Sequence, residues 1–155
     1  MKRQQKPPAP RPYGRIDRPP ERCKRPTFRS LLAAGFPFEP MGYWTKNVTA
    51  ELSEADTPGV YIWVLDRVAV YVGEGRSIGL RHQYHGRYPR ALCHHELRAA
   101  LARGKRVAIY GIKDPIAKWN GIKLPARRAI EHALLLDWVF DWNRGGQGKI
   151  AVAGS

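Results

Sequence analysis

The segment GVYIWVLDRVAVYVGEGRSIGLRHQYH, residues 59–85, decides the fold. It opens with two β-branched and aromatic runs, GVYIWVL and VAVYVG, separated only by Asp66 and Arg67. Two residues cannot carry a parallel crossover, so the runs predict an antiparallel hairpin. A glycine-rich bend and a helical stretch over about 77–88 follow, the latter carrying Arg81 and His85. The hairpin register has a chemical consequence. A simple two-residue turn sends Tyr61 and Tyr71 to opposite faces of the sheet. A bulge or a three-residue connection returns them to one face, and the register expected here sets Tyr61 directly opposite Tyr71.

Upstream, TFRSLLAAG offers Thr27 as N-cap, a short helix and Gly35 as its stop. Residues 36–57, including FPFEPMGYW, are aromatic and irregular, and are expected to pack over the core as a loop. Downstream, periodicity over about 91–103 places Leu97 and Leu101 four apart, with Gly104 as terminator. RVAIYGI at 106–112 reads as a third strand. After a loop over 113–125 rich in Lys, Gly and Pro, Pro125 opens the helix ARRAIEHALLLDWVF. Its apolar face carries Ile130, Leu134, Leu135 and Trp138. The expected class is α/β, of the α+β kind: a small central antiparallel sheet flanked by helices, in the order ββααβα and without internal repeats.

At 155 residues the chain has the size of one domain. The expected organisation is a basic arm at 1–26, an extension at 27–56 packing on the core, and a main domain at 57–155. Residues 1–30 hold ten Lys/Arg, two Asp/Glu and seven Pro. Such a segment buries little surface and reads as extended or disordered, either as a solvated tail or as an arm that tracks phosphates. The net charge of +14 favours a polyanionic partner, most simply nucleic acid. No apolar run approaches the roughly 18 residues that span a bilayer, and no secretory signal opens the chain. The protein is therefore expected to be cytoplasmic, with no membrane partner and with Cys23 and Cys93 reduced.

Arg81 and His85 share a helical face, pairing a guanidinium that grips phosphate oxygens with an imidazole that orients or deprotonates water. Alone, such a pair is ordinarily a solvated cationic face. Glu131, neighboured by Leu134, Leu135 and Trp138, sits at the edge of a buried stripe and needs a partner. A hard cation such as Mg2+ meets that need, as would a salt bridge to Arg127, Arg128 or Lys123. Gly73, Gly75 and Gly79 imitate a dinucleotide-binding loop, yet the third glycine is one place late and the preceding strand belongs to a hairpin. Close backbone approach of Gly73 and Gly75 to a nucleic-acid phosphate, aided by Arg76, is the better use of that bend. Cys93, His94 and His95 lack a second cluster that would complete a zinc site. His94 either lines the cleft or caps a core edge.

Taken in order, these residues resemble the GIY-YIG nuclease family. GVY at 59–61 and YVG at 71–73 stand for the two signatures, each with Val in place of Ile. Arg81 and His85 match the Arg and His of the family's first helix, and Glu131 its metal-binding carboxylate in a late helix. Asn143 in DWNRGG lies at the family's usual remove, either as a phosphate or water contact or as a helix cap. The resemblance covers about 57–146.

It implies a metal-dependent endonuclease, using Mg2+ or Mn2+ at Glu131 and acting on DNA, duplex first. Tyr61, Tyr71, Arg81, His85, Glu131 and Asn143 would be catalytic. Tyr61 would act as or assist the general base, and Tyr71 would contact the scissile phosphate. A phenol is a poor base at neutral pH unless nearby positive charge lowers its pKa, and which group takes the proton is left open. Restriction-type, phage and mobile-element enzymes all fit, and a homodimer would cut two strands most simply. The alternatives are a non-catalytic nucleic-acid-binding protein that keeps the fold, and a basic structural partner of RNA.

Overall fold

In the computed structural model, which describes residues 24–87, 93–114 and 116–143, the centre is a five-stranded antiparallel sheet. The elements run α1 (Phe28–Ala33), β1 (Glu39–Trp44), β2 (Ala50–Leu52), β3 (Gly59–Leu65), β4 (Val68–Gly75), α2 (Ile78–Arg87), α3 (His94–Ala102), β5 (Val107–Lys113), β6 (Ile116–Trp119), β7 (Ile122–Pro125) and α4 (Arg127–Asp137). The sheet order is β2-β1-β5-β3-β4, with β6 and β7 forming a separate ribbon. No helix among the described residues is long and apolar enough to cross a membrane.

β3 is central and buried on both faces, which explains its near-continuous apolar run. Asp66 and Arg67 both have positive φ, 50° and 71°, the two-residue turn that matches the twist of adjoining strands. That turn alone would separate the tyrosines. Between Trp63 and Val64 the register shifts, because Val70 is an extra residue on β4. Beyond this bulge Tyr61 and Tyr71 share a face, as expected. The expected direct pairing is corrected, however: Tyr61 stands opposite Gly73, and Tyr71 opposite Trp63. The extra residue lies on β4, so the bulge shifts the register away from the expected pairing and leaves the partner of Tyr61 two residues beyond Tyr71.

The sheet is covered on both sides. One face carries Tyr61, Trp63 and Tyr71 and packs with Ile78, Leu97, Leu101 and Trp142, so α2 and α3 lie there. The other face carries Val60, Ile62 and Val72 and packs with Leu31, Leu134 and Phe140, so α1 and α4 lie opposite. α1 has a reciprocal capping box between Thr27 and Ser30, and Gly35 follows it at φ 95°.

Two stretches read as loops are strands. Residues 36–57 supply β1 and β2, and β1 extends the sheet by pairing with β5. Pro40 and Gly42 flank a bulge there, which breaks the alternation by which strands are recognised. The 113–125 stretch forms the ribbon β6–β7, turning at Asn120 and Gly121 with φ 48° and 76°.

β4 is the sheet's edge, and chain segments from both directions cover it. Thr27 bridges Val68, and Ala69 donates to the Pro26 carbonyl. On the same strand Trp142 donates to the Val70 carbonyl. Asn143 uses its amide as a further rung: Val72 N donates to Oδ1 at 2.9 Å, and Nδ2 donates to the Val72 carbonyl at 2.8 Å. Lys24–Pro26 therefore belong to the fold, while the rest of the expected arm, Cys23 included, lies outside the described residues.

Candidate active site

Two phenols meet one imidazole. Tyr61 projects from β3, Tyr71 from β4 and His85 from the last turn of α2. His85 Nε2 lies 3.1 Å from the Tyr61 hydroxyl and 3.4 Å from the Tyr71 hydroxyl. Its Nδ1 is 3.5 Å from Cys93 Sγ. His94 Nδ1 donates to the His85 carbonyl at 3.0 Å, so His94 steadies the backbone beneath the imidazole. All these side chains are buried.

Burial sets their protonation. It raises the Tyr61 pKa well above the ordinary phenol value, against the opposing pull of Arg81, and raises Tyr71 likewise. Burial pushes the Cys93 thiol up to about 12, and pushes His85 down to about 3, helped by His82, Arg81 and His94. At neutral pH the cluster is uncharged: two phenols, a thiol and a neutral imidazole. With its proton on Nδ1 toward sulfur, His85 offers the Nε2 lone pair to the Tyr61 hydroxyl.

Trp63 and His82 extend this cluster and were not singled out in the sequence. Trp63 Nε1 donates to His82 Nε2 at 3.0 Å, which requires the His82 proton on Nδ1, where it meets the Ile78 carbonyl at 2.7 Å. Burial lowers the His82 pKa to about 4. The available signal was spacing: Trp63 follows Tyr61 by two on a strand, and Ile78, His82 and His85 repeat at helical intervals.

Both histidines bind a proton less readily folded than unfolded. Their contribution is therefore complete above the unfolded pKa near 6.5 and is lost as pH falls toward 4 and 3. Between pH 7 and pH 5 each is expected to cost on the order of 2 kcal/mol of stability. Denaturant titrations at the two pH values check this. A midpoint that is unchanged at pH 5 would contradict the buried neutral pair.

Gly73, expected as a phosphate contact, packs against the Tyr61 ring. It is buried, and a Cβ there would stand 2.5 Å from the Tyr61 hydroxyl, so its missing side chain is the space the phenol occupies. Gly75 and Arg76 do line an open groove, of about 470 Å³, together with Arg81, Tyr84, Arg127 and Arg128. Neither phenol lines this groove. Arg81 links the two, since it lines the groove and its charge bears on both tyrosines.

Glu131 stands on the helix that covers the other face of the sheet, and only its charge bears on the phenol side. α4 packs against β4 and β3 opposite the phenols, with Arg127, Glu131 and Leu134 on one stripe. β4 is the edge strand, and at that edge Glu131 feels Glu74, Arg81 and Arg128 and bears in turn on Tyr71. Its pKa is raised, first by burial and then by Glu74, with Arg81 and Arg128 opposing.

Among the described residues Glu131 has no ion pair within 4.0 Å, so none of the basic residues weighed as partners forms one. Arg127 instead binds Glu74 and Asp114, each at 2.8 Å, and Arg128 lies 3.7 Å from Glu74. The amide of Asn143 is engaged with Val72 and holds the edge strand rather than capping a helix. No group of three or more His, Cys, Asp or Glu placed to hold a metal occurs among the described residues.

No protein-family model and no curated protein matches the sequence. Among solved structures, restriction endonuclease HPY188I in complex with product DNA is similar at a TM-score of 0.44 and 14% identity, over 72% of this chain and 79% of that one. A mutant of bacteriophage T4 EndoII is similar at a TM-score of 0.59 and 14% identity, over 76% of this chain and 98% of that one. The sheet and its flanking helices thus share the fold of the phage T4 EndoII structure.

Proposed function

We propose that this chain is a DNA endonuclease of GIY-YIG type that hydrolyses phosphodiester bonds with a divalent cation, Mg2+ or Mn2+, held at Glu131. The observation that carries the reading is the convergence of Tyr61 and Tyr71 on His85, with Arg81 joining their surroundings to a groove also lined by Arg76, Arg127 and Arg128. The fold shared with T4 EndoII supports it.

Arg81 grips a non-bridging phosphate oxygen and brings the diester to the phenols. Tyr61, its hydroxyl hydrogen-bonded to the neutral Nε2 of His85, positions the attacking water and assists its deprotonation. Tyr71 holds the phosphoryl group by a hydrogen bond. Glu131 suits a hard cation: it is half-buried, burial and Glu74 disfavour its bare charge, and one protein carboxylate with bound waters is an ordinary magnesium environment. Such a cation, when bound, neutralises charge on the phosphoryl and leaving oxygens.

Incubating supercoiled plasmid with the protein, with Mg2+ and with chelator, tests this reading. Nicked and linear products are expected with Mg2+ only. Intact plasmid in both arms would refute the enzymatic reading, and retained binding in that case would assign the chain as a nucleic-acid binder that keeps the fold.

A further inference from the structure

In the ribbon β6–β7 every residue from Lys118 to Pro125 is exposed. An isolated two-stranded hairpin is marginal in water. Here one carboxylate closes the two legs: Asp114, before β6, accepts from the backbone N–H of Arg127 at 3.1 Å and from its guanidinium at 2.8 Å. The same guanidinium bonds Glu74 at 2.8 Å, and Glu74 and Arg127 both line the arginine groove. The ribbon is therefore rooted in the groove wall.

Its surface is unusual for a solvated loop. Trp119 and Ile122 face each other next to the Asn120-Gly121 turn and are 64% and 55% exposed, with Leu124 exposed on the same face. On the other face Lys118 stands directly opposite Lys123, a like-charge pair that weakens a ribbon in water. Residues 116–125 contain no Asp or Glu to relieve it. A polyanion relieves it.

We infer that this ribbon is a duplex-reading element: Trp119 and Ile122 enter a groove of the DNA bound in the arginine cleft, while Lys118 and Lys123 neutralise flanking phosphates. A DNA groove admits a two-stranded ribbon, and apolar side chains at its tip pack on base edges or wedge a base step. Charge selects DNA over a second copy of the chain, since another copy would bring more positive charge to the same lysines. The inference rests on the nuclease reading for its substrate, not for its chemistry.

The test is fluorescence anisotropy of the full chain with a labelled random-sequence duplex of about 30 bp, in chelator and over a range of salt. The double variant Lys118→Ala, Lys123→Ala is expected to lower affinity roughly tenfold at low salt. It should also reduce the slope of log affinity against log salt by about 1.8, at about 0.9 per phosphate contact. Trp119→Ala is expected to lower affinity at least fivefold with the slope unchanged. Both variants should melt with the parent, because these side chains are exposed.

Unchanged affinity and slope in both variants, with the parent binding normally, would overturn the inference. So would a change confined to oligomeric state, which would make the ribbon a contact between copies. Binding that depends on the ribbon while plasmid stays intact with Mg2+ would uphold the inference and remove only the nuclease reading. A parent that does not bind duplex would remove both.

Discussion

Glu131→Gln is expected to lower plasmid nicking by about 10²–10⁴ while leaving duplex affinity in chelator nearly unchanged. The side chain is replaced by an isostere without charge, so the packing of α4 on β4 survives and the groove keeps its arginines. What is lost is the ligand for a cation worth several kcal/mol of transition-state stabilisation, at about 1.4 kcal/mol per tenfold in rate. Stability should move the other way. A carboxyl whose folded pKa is raised contributes stability below its unfolded pKa and loses that contribution as pH rises through the folded one. At neutral pH the ionised Glu131 therefore weakens the fold, and the variant should melt at the parent's temperature or slightly above. Full nicking by Glu131→Gln would remove the acid from the mechanism. A lowered melting temperature would show that it is a structural partner instead.

Tyr61→Phe should be nearly as damaging, by about 10²–10⁴, the range for a lost proton-transfer group. The ring remains over Gly73 and only the hydroxyl 3.1 Å from His85 is removed, so stability should fall by no more than about 1 kcal/mol. Because burial holds His85 near 3, its neutral form is fully populated across the neutral range, and the rate should show no inflection near 6.5. A pH profile with that inflection, or a Phe variant that cleaves normally, would take the proton path away from the Tyr61–His85 pair.

The central hairpin was legible because two β-branched and aromatic runs, the two-residue link and the glycines agree on one structure. The step from an odd to an even register was legible too, since only an irregularity brings the tyrosines to one face. The size of that step was not, because nothing in VAVYVG marks Val70 as the extra residue. β1 was hidden by Pro40 and Gly42, which belong to a bulge and read in sequence as a break. The ribbon carried its own signal, Asn120-Gly121, outweighed by a composition that looked like loop.

At the candidate site, Arg81 and His85 were assigned to a helix from spacing, and α2 carries both. Burial was not readable, yet burial decides that His85 is neutral and that the phenols keep their protons. That α4, and Glu131 with it, covers the face opposite the phenols could not be read either, because a linear sequence does not say which face of a sheet a helix packs on.

The clasp on β4 bears on how this chain tolerates being cut. Truncation ahead of Lys24 leaves every rung along that strand in place, whereas truncation ahead of Trp142 strips the bonds to Val70 and Val72. The shortened chain would present a bare row of amides and carbonyls beside Tyr71, a template for adding foreign strands. Expression boundaries and fusion partners for this protein therefore belong beyond Asn143, not before it.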